Sequence, residues 1–368
     1  MEIHLGAAHC IDPLAEGLDA TVDAMLGGTA GLRPEVIDGA PLHVGRIPRV
    51  NEDPSLSLPL QWALRCAKTS REQLTRDVVN EPRCAVILST TKGDLGPLER
   101  GDGAGSVLPV LAAAFAARAG LSRSPVVISN ACASGTSAMI FAAGMIHNGR
   151  ADHALVIGVD ALSRFVVSGF RSLFALASGP CRPYDLARDG ICLGEAAASV
   201  VLSRDRSIFR DPLGTYLGGA IANDANHISG PSRTGEGLMR AVNGALRNAA
   251  CDADDISLIN AHGTGTEYND AMEAIAFGRC GMEAIPLSSY KGSFGHTLGA
   301  AGVLESVIAL RALQRGSLLR SEGTRTVGLP SPLNVTLDHA SAKGDVILKT
   351  NSGFGGVNAA LILRAWKT

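Results

Sequence analysis

Charge of either sign is sparse in this chain. Only 18% of its 368 residues are charged, the net charge is -2, and no run of five or six like charges occurs. That excludes the basic stripe a nucleic-acid backbone requires. Long apolar runs are also missing: no stretch approaches the roughly 18 residues of a membrane helix, and Met1-Glu-Ile-His-Leu-Gly-Ala-Ala lacks the basic and apolar regions of a secretory signal. A cytoplasmic protein with no membrane and no nucleic-acid partner is expected. The eight cysteines, at 10, 66, 84, 132, 181, 192, 251 and 280, form no C-x-x-C pair, so neither a zinc ribbon nor a disulfide framework is indicated and free thiols are expected. Gly101-Asp-Gly-Ala-Gly follows no strand, and no Gly-Lys-Ser/Thr loop follows any glycine run, which disfavours nucleotide binding.

Glycine, by contrast, is abundant. Forty-three glycines, 46% hydrophobic residues and only 4% aromatics suit strands that feed helices through short loops around a large core, an α/β composition. Periodicity predicts helices over 58–74, 106–118, 133–147, 236–250, 270–277 and 300–315. Strands are predicted over 84–90, 125–129, 154–159, 196–202, 215–222, 256–260 and 285–288, with two more near Asp345 and Asn358. The alternation implies parallel pairing. It restarts after the junction Ser203-Arg-Asp-Arg-Ser, so two similar halves are expected, 1–205 and 206–368, although no sequence-level repeat proves a duplication.

Cys132 ends the apolar run Pro125-Val-Val-Ile-Ser-Asn-Ala-Cys and opens a small-residue helical stretch, so it sits at the first turn of a helix. Unpaired backbone N–H groups and the helix dipole there favour thiolate over thiol. A lone reduced cysteine at such a junction is ordinarily a small buried hydrophobe. Two later segments raise the stakes: Leu258-Ile-Asn-Ala-His262-Gly-Thr-Gly-Thr266 and Ser289-Tyr-Lys291-Gly-Ser-Phe-Gly-His296, each with a histidine among glycines at a strand end. The helix after Cys132 is apolar or small on nearly every face, which predicts burial between layers. Its small residues would allow close packing against sheets or against its counterpart in the other half.

Five blocks occur in one order: Asn130-Ala-Cys-Ala-Ser-Gly; Arg182-Pro-Tyr-Asp with Arg188-Asp-Gly and Gly194-Glu; Asn260-Ala-His-Gly-Thr-Gly-Thr; Lys291 to Glu305; and Asn351-Ser-Gly-Phe-Gly-Gly-Val-Asn358. Over roughly residues 80–366 the chain resembles the β-ketoacyl synthases, specifically the elongating Cys-His-His condensing enzymes. The resemblance implies the thiolase fold, duplicated βαβαβ halves in a five-layer α-β-α-β-α arrangement. It also implies a decarboxylative Claisen condensation, in which Cys132 accepts an acyl group from an acyl carrier protein thioester and a malonyl thioester then loses carbon dioxide.

By the same resemblance His262 and His296 present N–H groups to the enolate, Lys291 orients the histidine site, and Glu305 is its partner. Cys132, Phe354 and Gly355 supply the oxyanion hole and the gate, and Thr264 and Thr266 hydrogen-bond the pantetheine arm. Asp224-Ala-Asn-His227 resembles a mobile loop at the entrance, with His227 itself read as an ordinary solvated residue. Arg188 and Glu195 read as structural charges that pair. No metal or organic cofactor is implied; the substrates ride on phosphopantetheine of the carrier protein. A homodimer is expected, with a heterodimer as the other arrangement.

The chain departs from the family's pattern before residue 80 and at Ser352, where a second phenylalanine is usual, pointing towards a specialised polyketide or polyene condensing enzyme. A thiolase would need a second reactive cysteine near the C-terminus, and none follows Cys280. A chalcone-synthase relative would use asparagine where His296 stands. The alternative of a different class is a non-elongating partner subunit like a chain-length factor, but such partners lose the cysteine that this chain keeps.

Overall fold

The structure, a computed structural model, describes residues 1–50, 53–103 and 107–367. Ten strands form its main sheet. In the first half these are β1 (Ile3–Ile11), β2 (Cys84–Ser89), β3 (Val126–Ile128), β4 (His153–Asp160) and β5 (Ala196–Ser203). In the second half they are β6 (Pro212–Asn223), β7 (Leu258–Asn260), β8 (Leu287–Ser288), β9 (Val346–Gly353) and β10 (Val357–Ala365). The order across the sheet is β3-β2-β4-β5-β1-β6-β10-β9-β7-β8.

That order reads the same outward from the middle. In each half the second strand pairs parallel with the third and fourth, the fourth runs antiparallel to the fifth, and the fifth antiparallel to the first. The duplication that no sequence repeat proved is therefore present in the topology. The halves join where β1 pairs antiparallel with β6, Ile3 opposite Tyr216. Sequence reading assigned no element to residues 3–11, yet β1 is the seam of the molecule, buried at every position.

The longer helices are α1 (Leu18–Leu26), α2 (Leu58–Glu72), α3 (Leu108–Arg118), α4 (Ser134–His147), α5 (Arg164–Ser172), α6 (Glu236–Ala249), α7 (Glu267–Arg279) and α8 (Ala301–Gln314). The expected start of α3 at Ser106, with Ala104 and Gly105 of the glycine run, lies outside the described residues. Three apolar clusters define the layers. Trp62 and Cys66 of α2 and Phe115 of α3 cover the outer face of the first half, and Leu238 and Val242 of α6 with Phe277 of α7 cover that of the second. Between them Met139 and Ala142 of α4 pack with Val303, Val307 and Leu310 of α8. This is the five-layer α-β-α-β-α arrangement. Strands covered on both faces carry no polar alternation, and β4 and β5 are accordingly buried at every residue.

The two central helices touch through their backbones. A Cβ at Gly302 would stand 2.1 Å from the N of Thr136, and one at Gly135 would stand 2.8 Å from the N of Val303, so only glycine fits at this crossing. All eight cysteines are unpaired. No helix among the described residues is long and apolar enough to cross a membrane.

Candidate active site

Cys132 lies between the end of β3 and the start of α4, 6% exposed. The turn before it is strained: Ala131 is held at φ 47°, a region a non-glycine residue enters only when its surroundings impose it. Ser134 braces the turn, accepting from the Asn130 N–H at 2.7 Å and donating to the Ala131 carbonyl at 2.5 Å.

His262 follows β7 on the loop into α7. Two carboxylates one turn apart on α7 hold that loop. Glu273 accepts the N–H groups of His262 at 2.8 Å and Gly263 at 2.7 Å, and Asp270 accepts that of Thr264 at 3.0 Å. Burial first, then the nearby Asp270 charge, pushes Glu273 up to about 7. Neither carboxylate was singled out from the sequence, since both look like ordinary polar positions on a helix.

His296 is placed by backbone pairing. Its N–H donates to the Cys192 carbonyl at 2.7 Å, and its own carbonyl accepts from Gly194 at 2.9 Å. Both its ring nitrogens are buried without a hydrogen-bond partner among the described residues. Buried polar atoms in folded chains almost always find partners, so this ring has capacity that a substrate oxygen can take up.

The structure brings these three groups together. The sulfur of Cys132 and one ring nitrogen each of His262 and His296 lie within 4.8 Å of one another, with the imidazole centroids 5.2 Å apart and the rings nearly perpendicular. All three line a cavity of about 400 Å³ that Phe170, Phe174, Ile228 and Tyr268 also border. Among the described residues no other set of three His, Cys, Asp or Glu side chains converges in this way. A soft cation would find one sulfur and two nitrogens there, so Zn²⁺ is expected to block the thiol and a chelator to restore it, read by alkylation of Cys132.

Electrostatics corrects one expectation. Burial pushes the Cys132 thiol up to about 11, against the lowering effects of the Lys92 and Lys291 charges and of the Phe354 N–H bonded to it. That direction favours the thiol over the thiolate at pH 7. Iodoacetamide alkylation of Cys132 should therefore rise roughly tenfold per pH unit between pH 7 and 9, without a plateau, in stopped time points read by intact mass. Burial, then the charges of Lys291 and other neighbours, drives both histidines well below their ordinary value, so they are neutral at pH 7 and each carries one N–H.

Lys291 does not reach the cavity. Its ammonium donates to the His262 carbonyl at 2.5 Å and to Glu305 at 2.8 Å. A second cation, Lys349 on β9, takes the other oxygen of Glu305, and all three side chains are fully buried. Lys349 was missed; its only sequence signal is a single charge inside the apolar run Val346-Ile-Leu-Lys.

Thr264 and Thr266 line the cavity with their hydroxyls 2.8 Å apart. Phe354 packs against Phe170 at 5.5 Å between centroids. Gly355 departs from expectation: its N–H donates to the Ile228 carbonyl at 2.7 Å and is spoken for, so of the glycine-rich loop it is the Phe354 N–H that faces the sulfur. Gly353 is the glycine that matters for approach, because a Cβ there would stand 3.1 Å from both the Ala131 Cβ and the Cys132 N. Gly353→Ala is expected to shift the Phe354 N–H and lower turnover by about 10²-fold with little change in Tm. His227 is exposed and caps its own turn, accepting from the Ser229 and Gly230 N–H groups at 3.2 Å. Glu195 pairs with Arg46 and Arg49, each at 2.9 Å.

Comparison with known proteins follows the same division of the chain. The model of the β-ketoacyl synthase N-terminal domain matches residues 61–207, and that of the C-terminal domain residues 213–324. The ketoacyl synthase alpha subunit of the tetracenomycin polyketide synthase of Streptomyces glaucescens is 30% identical over 97% of this chain and 93% of its own length. A 3-oxoacyl-[acyl-carrier-protein] synthase 2 of Rhizobium meliloti is 35% identical over 65% of this chain, an alignment that spans 60% of that protein. A solved ketosynthase in complex with its chain length factor, from Xenorhabdus doucetiae, superposes with a TM-score of 0.90 at 27% identity, covering 99% of this chain and 98% of that one. The likeness thus extends through the first 80 residues, beyond the span that the motifs carried. With both domain models matched in order and a relative aligned over nearly its whole length, the chain belongs to the β-ketoacyl synthase family of thiolase-fold condensing enzymes.

Proposed function

We propose that this chain joins a Cys132-bound acyl group to malonyl-acyl carrier protein, releasing carbon dioxide and yielding a 3-oxoacyl-acyl carrier protein for fatty-acid or polyketide synthesis. The observation that carries this reading is the meeting of one sulfur and two neutral imidazoles at the wall of one cavity.

In the first half-reaction the Cys132 sulfur attacks the acyl thioester carbon, its proton passes to the departing pantetheine sulfur, and the acyl group stays on Cys132. The malonyl thioester then loses its carboxylate as carbon dioxide. The electron pair of the broken C–C bond moves into an enolate, whose oxygen accepts N–H groups from His262 and His296. The enolate carbon attacks the acyl carbonyl on Cys132, the Phe354 N–H receives the tetrahedral oxyanion, and collapse expels the Cys132 thiolate, which takes a proton from water to restore the thiol. No group outside this chain and its two thioesters is needed for electron balance. In this reading Thr264 and Thr266, which line the cavity, hold the pantetheine arm, and Phe354 gates the acyl side.

The relatives support the partners. One is named for acyl carrier protein and another is solved beside a chain length factor. We take the working unit to be a pair of thiolase-fold subunits, two copies of this chain or this chain with a chain-length-factor-like subunit, which sedimentation of the purified chain distinguishes.

The test loads the protein from a panel of acyl-acyl carrier proteins and reads the mass added to Cys132, then follows carbon dioxide release from malonyl-acyl carrier protein. His262→Ala and His296→Ala should each lower decarboxylation by about 10² to 10³-fold. Unchanged release in both variants would remove the histidines from the reaction.

A further inference from the structure

Asn351 is fully buried near the C-terminal end of β9, and the reaction above leaves its side chain unused. Its amide spans two parts of the site. The oxygen accepts the Thr136 hydroxyl at 2.6 Å, and the nitrogen lies 3.0 Å from Nδ1 of His262. Thr136 stands in the first turn of α4, where its backbone meets Gly302 of α8, so the donor that orients the amide is itself held by the crossing of the central helices.

An amide whose oxygen is occupied by a hydroxyl donor turns its NH₂ towards the ring. A neutral imidazole that accepts at Nδ1 carries its proton at Nε2. We infer that Asn351 is a positioning residue that fixes His262 as the Nε2–H tautomer, with Thr136 as the lock on the amide. The functional side of this inference rests on the proposed role of His262 as an enolate donor; the tautomer itself does not. The two histidines then differ in kind. His262 is set as a donor before substrate arrives, whereas His296, with neither ring nitrogen partnered among the described residues, takes the form the substrate demands.

The experiment uses full-length protein labelled with ¹⁵N-histidine, with His262 assigned by its loss in His262→Ala. Proton-coupled nitrogen spectra should show His262 protonated at Nε2 and accepting at Nδ1. Asn351→Asp keeps the shape and the Thr136 contact but has no N–H to offer. Its carboxylate should draw the proton to Nδ1, and kcat for malonyl decarboxylation should fall about 10²-fold with KM little changed. Should Asn351→Asp misfold, Thr136→Val tests the lock: a mixture of tautomers and a loss of about tenfold are expected, with Thr136→Ser restoring the wild-type spectrum.

A wild-type His262 protonated at Nδ1, or an Asn351→Asp protein that retains the Nε2–H form and full decarboxylation, would overturn the inference. Absence of decarboxylation in the wild type would instead sink the assigned reaction, and the spectra would still decide the tautomer.

Discussion

Cys132→Ala is expected to lower condensation by about 10⁴-fold or more while the protein still releases carbon dioxide from malonyl-acyl carrier protein. The two activities separate because they use different groups. In the proposed reaction acyl transfer uses the sulfur, and decarboxylation uses only the N–H groups of His262 and His296, whose placement rests on Glu273 and on the backbone of Cys192 and Gly194. Alanine removes one atom at a position that carries little of the core, so Tm should change little. Intact mass after incubation with acyl-acyl carrier protein should show no adduct. No other cysteine shares the cavity wall, and burial pushes the thiols of Cys66, Cys84 and Cys280 up as well. A condensing activity that survived the substitution would move the nucleophile elsewhere and end the proposed chemistry.

The second large effect is on stability. Among the described residues Glu305 is the sole carboxylate bonded to two fully buried ammonium groups, Lys291 and Lys349. Burial alone would raise its pKa, yet the two lysine charges together hold it below the ordinary value, so it is ionised at every working pH. Glu305→Ala leaves both cations without a counter-charge, and breaking a buried pair in this way costs about 3–5 kcal/mol. Whole domains are stable by only about 5–15 kcal/mol, so the variant should denature at a clearly lower urea midpoint or fail to accumulate as soluble protein. Because Lys291 also holds the His262 carbonyl, the soluble fraction should lose activity too.

Pairing the change with Lys349→Met removes one stranded charge and should recover part of the loss; a double variant no better than the single would mean that the charge cluster is not the cause. The wild type has a pH signature of the same cluster. Burial lowers Lys349 from 10.5 to about 8, the reverse of a lysine gaining net stabilisation, so below pH 8 both states hold the proton and the penalty is constant. From pH 8 towards 10.5 the unfolded chain holds more protons than the folded one, and this group's contribution to stability rises with pH.

Much of the site was legible because its parts are short and local. Cys132 between an apolar run and small residues, and His262 and His296 among glycines, are patterns in which each residue's neighbours state the chemistry. The gaps have physical causes. Glu273, Lys349 and Asn351 act on His262 or its support from other strands and helices; nothing near the first two in the chain announces it, and Asn351 opens the glycine-rich block with no local sign of its contact with His262. Gly355 looked like an oxyanion donor by its place in the motif, but its N–H is claimed by Ile228 from a loop more than a hundred residues earlier. The first strand went unread because residues 3–11, buried on both faces, show neither the alternation of a half-exposed strand nor the period of a helix.

By itself, then, the amino-acid order determined the α/β class, most element positions and the three groups that converge at the cavity, since those depend on propensity, periodicity and residue type within a few turns. Tertiary structure alone decided that β1 joins the halves, that both halves share one strand order, that burial raises the Cys132 thiol, and which groups hold the imidazoles. Each of these is a matter of burial and of contacts between residues far apart in the chain, and desolvation and close approach have no value until the layers have packed.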